Sequence, residues 1–94
     1  MRLTASAYCH HGTTESGART SRGTIAADPL VLPLGSVVRI ESTERQYSGT
    51  YTVMDTGAKV KGRKVDIFVP SCAAARKFGK RVLLVRVVRR GSPK

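Results

Sequence analysis

Residues 65–69 read Val65-Asp66-Ile67-Phe68-Val69. Apolar residues at a period of two predict a strand here. Side chains alternate along a strand, so Val65, Ile67 and Val69 share one face, and Lys64, Asp66 and Phe68 share the other. The acid is the anomaly. A carboxylate has poor strand propensity, and this one stands beside a bulky aromatic on its own face. If that face lines a groove, partial loss of water raises the carboxyl pKa and makes Asp66 a candidate general acid. The twelve basic residues between 59 and 94 act in the opposite sense. The plainer alternative is an exposed edge-strand aspartate paired with Lys64 or Arg63.

Working outward, residues 55–64 hold two glycines and three lysines and read as a loop. Downstream, Pro70-Ser71 opens a helix over about 71–78, with Ser71 as N-cap and Gly79 as its stop. Residues 81–88 form a last strand, apolar at nearly every position from 82 to 88, which predicts a strand covered on both faces. Upstream, residues 3–8, 24–27, 36–40 and 46–54 carry strand patterns. They are separated by a Gly/Ser/Thr-rich loop over 11–23, turns at Asp28-Pro29, Pro33 and Gly35, and a polar turn over 41–45. Six short strands and one short helix make an all-β chain. A small closed barrel is the natural way to remove that many strand edges.

The chain has 94 residues, which predicts a single domain over 1–94. Apolar residues make up 40% and charged residues 24%, a globular balance. No apolar run approaches the 18 or so residues of a membrane span. No signal peptide is visible, which suggests a cytoplasmic protein or a mature piece whose leader lies elsewhere. The net charge is +11 and unevenly placed: residues 1–58 balance five basic against five acidic residues, while 59–94 carry twelve basic residues and only Asp66. Such a field favours a polyanionic partner, namely nucleic acid, an anionic membrane face or an acidic wall polymer. Solubility alone is the plainer explanation.

Cys9 and Cys72 are far apart and neither lies in a CxxC. A disulfide and two buried free thiols both remain open on the sequence. Cys9-His10-His11 does not predict a metal site, because consecutive strand residues point to opposite faces. Nothing near Cys72 specifies an activated thiolate for a thiol–histidine dyad. Asp28-Pro29 and Asp55-Thr56-Gly57 are good turn sequences in which the carboxylate bonds nearby amides. Tyr8, Tyr47, Tyr51, Phe68 and Phe78 suit sugar stacking, with half or more expected in the core.

Taken in order, these motifs resemble the 3D (three-aspartate) domain family. Ala5-Ser6-Ala7-Tyr8 is similar to its opening strand, and Thr14 and Gly17 to the Thr and Gly that follow. Residues 23–29, Gly23-Thr24-Ile25-Ala26-Ala27-Asp28-Pro29, carry the first aspartate. Leu32-Pro33-Leu34-Gly35-Ser36 resembles the Pro-Leu-Gly turn. Asp55-Thr56-Gly57 with Val60-Lys61-Gly62 carries the second aspartate, and Val65-Asp66-Ile67-Phe68 the third. The chain departs from the pattern at Ala58 and Lys59, where a second glycine and a small residue are usual, and at Ser6, where a threonine is usual.

The resemblance implies a six-stranded double-psi β-barrel related to the catalytic part of membrane-bound lytic transglycosylases. It implies cleavage of the MurNAc-GlcNAc bond of peptidoglycan without water, with Asp66 as the single acid/base and a 1,6-anhydro product. Asp55, Asp28, Thr14, Tyr8, Gly57 and Lys61 map onto supporting or substrate-binding positions. The supporting aspartates are expected to orient sugar hydroxyls, organise loops, or raise the Asp66 pKa as like charges. The resemblance implies no cofactor and no metal, a monomer acting on glycan strands, and a place outside the cell, in the periplasm or in the wall. A non-catalytic wall-binding module similar to the expansin-type barrels is the alternative. Nucleic acid is not the expected partner: Lys59, Lys61, Arg63 and Lys64 suit phosphates, but no recognition motif accompanies them and aromatics are only 5%.

Overall fold

The computed structural model describes residues 1–9, 23–57 and 60–91. The elements are β1 (Arg2–Tyr8), β2 (Thr24–Ala27), β3 (Val37–Glu41), β4 (Gly49–Asp55), β5 (Lys64–Phe68), α1 (Cys72–Phe78) and β6 (Arg81–Arg89), with a 3₁₀ turn at Arg45–Tyr47. The strands close into a barrel in the order β1-β5-β2-β4-β3-β6. Two neighbour pairs are parallel, β1 with β5 and β2 with β4. The other four are antiparallel. Closure leaves no unpaired edge, as six short strands require.

Period-two alternation sets what enters the barrel. Leu3 and Ala5 of β1, Ile25 of β2, Val38 and Ile40 of β3, Val53 of β4, Val65 and Ile67 of β5, and Leu83 and Val85 of β6 are all buried in one core. Helix α1 packs Ala75 and Phe78 against that core. Ser71 caps the helix by accepting from the Ala74 amide at 3.2 Å, and Gly79 ends it at φ 63°, a left-handed conformation that glycine tolerates best. Cys9, just past β1, and Cys72, at the first turn of α1, are joined in a disulfide across 63 residues of sequence, with Cα atoms 5.1 Å apart. A cross-link closing so long a loop stabilises by about 2–4 kcal/mol.

Three sequence expectations change. Strand β6 is not covered on both faces. Leu83 and Val85 are buried, but Val82, Leu84 and Val88 are 62%, 51% and 59% exposed. The apolar run is an ordinary two-faced strand whose outer face happens to be aliphatic. The segment expected as one strand over 46–54 begins instead as the 3₁₀ turn. There the Tyr47 and Ser48 amides donate to the carbonyls of Glu44 and Arg45, and the Tyr51 hydroxyl donates to the Tyr47 carbonyl at 2.8 Å. Glu41, expected in a turn, is the last residue of β3. The loop expected over 11–23 lies, except for Gly23, outside the described residues.

The two faces of β6 respond differently to a charge. Val85→Asp places an unpaired carboxylate in the core and lowers the unfolding free energy in urea by about 3–5 kcal/mol. Val82→Asp, on the outer face, changes it by about 0.5 kcal/mol.

Candidate functional site

The third aspartate is placed by the registers of β5 with both its neighbours. Asp66 lies opposite Ser6 of β1 and opposite Ala26 of β2. On its other side Ala26 lies opposite Asp55 of β4. Ser6, Asp66, Ala26 and Asp55 therefore form one rung across four strands. Residues directly opposite one another present their side chains to the same face. The β2–β4 register carries a shift between Ile25 and Ala26: Ile25 opposes Val53, whereas Ala26 opposes Asp55, so Met54 is skipped. Without that bulge Met54 would face Ala26 and Asp55 would turn to the other side. Bulges re-aim side chains in this way. The small side chain of Ala26 separates the two carboxylates, whose Cα atoms stand two strand spacings apart, about 10 Å.

Asp66 is half-buried, and burial raises its pKa from the ordinary value of 3.8. The Ser6 hydroxyl, which donates to Oδ1 at 3.2 Å, works in the opposite direction and does not outweigh burial. The cause is loss of water rather than the like charge expected from the other aspartates. Tyr8 completes the cluster. Its ring meets Phe68 edge-on with centroids 5.5 Å apart. Its hydroxyl is buried and has no hydrogen-bond partner among the described residues. Its pKa is pushed up to about 12, by burial first and then by the charges of Asp55 and Asp66. The phenol thus stays protonated at neutral pH, a fixed donor near two carboxylates. The Asp55 carboxylate also accepts the Thr56 amide at 2.9 Å.

Asp28 belongs to a different arrangement. Its Oδ1 accepts the Leu30 amide at 3.0 Å and its Oδ2 accepts the Gly62 amide at 2.8 Å. The amides of Val31 and Leu32 both donate to its backbone carbonyl. Asp28 thereby ties the turn after β2 to the loop before β5. The Gly62 and Leu30 amides lower its pKa, with the exposed Lys61 adding to the effect. Of the three roles open to a supporting aspartate, loop organisation is the one this geometry displays. The Val60 amide donates to the Gly57 carbonyl at 3.0 Å. A Cβ on Gly57 would come within 2.7 Å of the Val60 side chain. Thr14 and Gly17, His10 and His11, and Ala58 and Lys59 lie outside the described residues.

Tyr47, Tyr51, Phe68 and Phe78 are all buried. Phe78 meets Tyr47 edge-on at 4.9 Å, and the Arg81 guanidinium lies 4.2 Å from the Phe78 ring centre while pairing with Glu44 at 3.1 Å. A cavity of about 280 Å³ opens at the end of β5 between Tyr47, Thr50, Tyr51, Phe68 and Ser71. Asp66 does not line it, so the acid's own surroundings define the candidate site. The disulfide occupies both sulfurs, which removes Cys9 as a metal ligand and Cys72 as a nucleophile. Two contributors carried no local sequence signal: the bulge that turns Asp55, and Ala26, which stands on the rung between the two acids.

Residues 23–89 match the model of the 3D domain. The chain is 36% identical over 97 residues to "Cell wall-binding protein YocH" of Bacillus subtilis (strain 168), covering 94% of this chain and 32% of that protein. It is 36% identical over 64 residues to "Putative cell wall shaping protein YabE" of the same organism, covering 68% of this chain and 14% of that one. The chain thus spans a third or less of the length of these relatives. Among solved structures, Escherichia coli MltA with bound chitohexaose superposes with a TM-score of 0.62 at 18% identity, over 81% of this chain and 28% of that one. The lytic transglycosylase LtgG of Burkholderia pseudomallei gives 0.57 at 21% identity, over 82% and 27%. At these identities the likeness is one of fold. With the family model spanning five of the six strands and a relative aligned over nearly the whole chain, this protein belongs to the 3D domain family.

Proposed function

We propose that this chain acts on peptidoglycan as a lytic transglycosylase domain, with Asp66 as its single acid/base. The observation that carries this reading is a half-buried carboxyl in mid-strand, its pKa raised by burial, on the same face as Asp55. The protonated carboxyl of Asp66 gives its proton to the glycosidic oxygen as the bond from the MurNAc C1 to that oxygen breaks. The GlcNAc leaves with a free hydroxyl, and C1 passes through an oxocarbenium-like state. Asp66, now a carboxylate, takes the proton of the MurNAc C6 hydroxyl while O6 bonds to C1, closing the 1,6-anhydro ring. The proton returns to Asp66, so no water is consumed and one carboxyl serves where hydrolysis needs two. Asp55 suits hydrogen bonds to sugar hydroxyls, whereas Tyr8, its hydroxyl buried, is proposed to support the site through its packing on Phe68. Lys61 and Thr14 are proposed to contact the glycan at its margins. Asp28 and Gly57 hold the loops that frame it.

The names of the relatives and the glycan bound to a structural neighbour support glycan strands as partner and the wall or periplasm as location. The disulfide suits an oxidising compartment. A second reading, a module that adheres to the wall without cutting it, draws on the relative named as a wall-binding protein and on the +11 charge.

Mass analysis of muropeptides released from purified peptidoglycan separates the two. Wild type yields 1,6-anhydro products, and Asp66→Asn lowers their yield by about a hundredfold or more. Equal yields would remove Asp66 from the reaction. Wall retention by wild type with no anhydro product would leave only the adhesive module.

Stability tells the two aspartates apart. The folded-state pKa of Asp66 is raised, so its charge opposes folding above 3.8, and that penalty fades as pH falls through the raised value. Asp66→Asn therefore melts no lower than wild type at pH 7, and any margin in its favour shrinks in acid. The folded-state pKa of Asp28 is depressed, so its contribution is present above 3.8 and is lost as pH falls through the depressed value. Asp28→Asn melts lower than wild type at pH 7, and the deficit closes at the acid end. Thermal melts by circular dichroism from pH 7 to pH 3 read both trends.

A further inference from the structure

The outer face of β3 and β6 carries a second set of chemically specific side chains, on two strands that do not pair with β5. In the ring order β1-β5-β2-β4-β3-β6, β3 stands diametrically opposite β5. Arg39 of β3 lies directly opposite Arg86 of β6, and one rung away Glu41 lies directly opposite Leu84. On its other side Leu84 faces Arg2 of β1. Arg39, Glu41, Leu84 and Arg86 are exposed, and with Met1 they line a groove of about 410 Å³. No ion pair holds Arg2, Arg39 or Arg86 among the described residues, where Arg81 pairs with Glu44 instead. Like charges directly opposite across two strands disfavour the fold. Here they are kept beside an aliphatic surface that folding leaves in water.

These features fit one kind of occupant. Two adjacent guanidinium groups grip a carboxylate. Leu84 and Met1, next along the groove, suit a small aliphatic side chain. Glu41, on the same rung as Leu84, suits an ammonium group. A second copy of this chain would bring arginines against arginines. We propose that this groove binds a short acidic peptide with small aliphatic side chains, the chemistry of the peptide stems borne by peptidoglycan. The identity of the peptide rests on the wall-directed reading above. The groove would hold a stem on strands that do not pair with the one bearing the acid.

The test is an amide-resolved NMR titration of the full chain with a synthetic stem tetrapeptide of alanine, γ-linked glutamate, a diamino acid and alanine. Saturable shifts are expected on β3 and β6. Arg86→Glu creates an opposite-charge pair with Arg39, so it should melt no lower than wild type while weakening the peptide at least about tenfold. Arg39→Gln combined with Arg86→Gln should do the same without adding an acid. Amidating the peptide carboxyls should abolish binding, and chitohexaose should leave these strands unshifted. Shifts confined to other strands, or equal affinity for wild type and both variants, would overturn the groove as a stem site. So would saturation by a glycerol-phosphate polymer but not by the peptide. Binding is read without catalysis. Peptide bound by a chain that makes no anhydro product would sink only the enzymatic reading. Product without peptide binding would sink only the groove.

Discussion

Everything in the candidate site depends on the pairing of β5 with both neighbours at once. β5 runs parallel to β1 and antiparallel to β2, and the two registers agree in setting Asp66 on the outer face, between Ser6 and Ala26. Register is enforced by the core. A slip of one residue would turn Val65 and Ile67 to the outside and carry Asp66 and Lys64 into the barrel. Two aliphatic side chains would lose their burial, about 1.5–3 kcal/mol each. A charged carboxylate among Leu3, Ile25 and Val53 would add a larger penalty. The hydrophobic alternation that builds the barrel thus also aims the acid.

Two aspartates of one chain are driven in opposite directions by their surroundings, and the contrast separates structure from chemistry. Asp28 is met by two amides, which favour its charged form, and it serves as a fixed acceptor between two loops. Asp66 receives one hydroxyl and loses much of its water, which favours its protonated form. A group kept protonated closer to neutral pH can donate a proton and later recover it. Tyr8 obeys the same rule more strongly, because burial and both nearby carboxylates all oppose its ionisation.

Much of the fold was legible because alternation is a local signal. The patterns over residues 3–8, 24–27 and 65–69 translate into β1, β2 and β5 within a residue or two. Ser71 and Gly79 bound α1 as their chemistry predicts. Asp28-Pro29 was readable as a turn whose carboxylate takes a nearby amide, though its bond to Gly62, 34 residues away, was not. Misreadings arose where one pattern has two physical sources. An apolar run over 82–88 marks a strand buried on both faces or a strand with an aliphatic outer face, and only the neighbours decide. Residues 46 and 47 read as the start of a strand, but the Tyr51 hydroxyl finds the Tyr47 carbonyl and stabilises a tight turn. The bulge at Ile25 and Ala26 left no trace in the sequence, because it is a property of how two strands meet.

The misread strand bears on function. Val82, Leu84 and Val88 do not stabilise the core, and hydrophobic surface left in water together with facing arginines runs against both solubility and sheet stability. Scattered apolar residues on a surface need no explanation. An aliphatic row joined to a guanidinium pair that no ion pair holds among the described residues is not scattered. In the closed ring that row lies on β6, two strands from β5 with Asp66 and two from β4 with Asp55. A ligand held there need not displace a glycan at the acid, and neither site has to change shape for the other to fill. On the proposed reading, a barrel too small to enclose a polymer would engage it through two separate outer faces, one chemical and one adhesive.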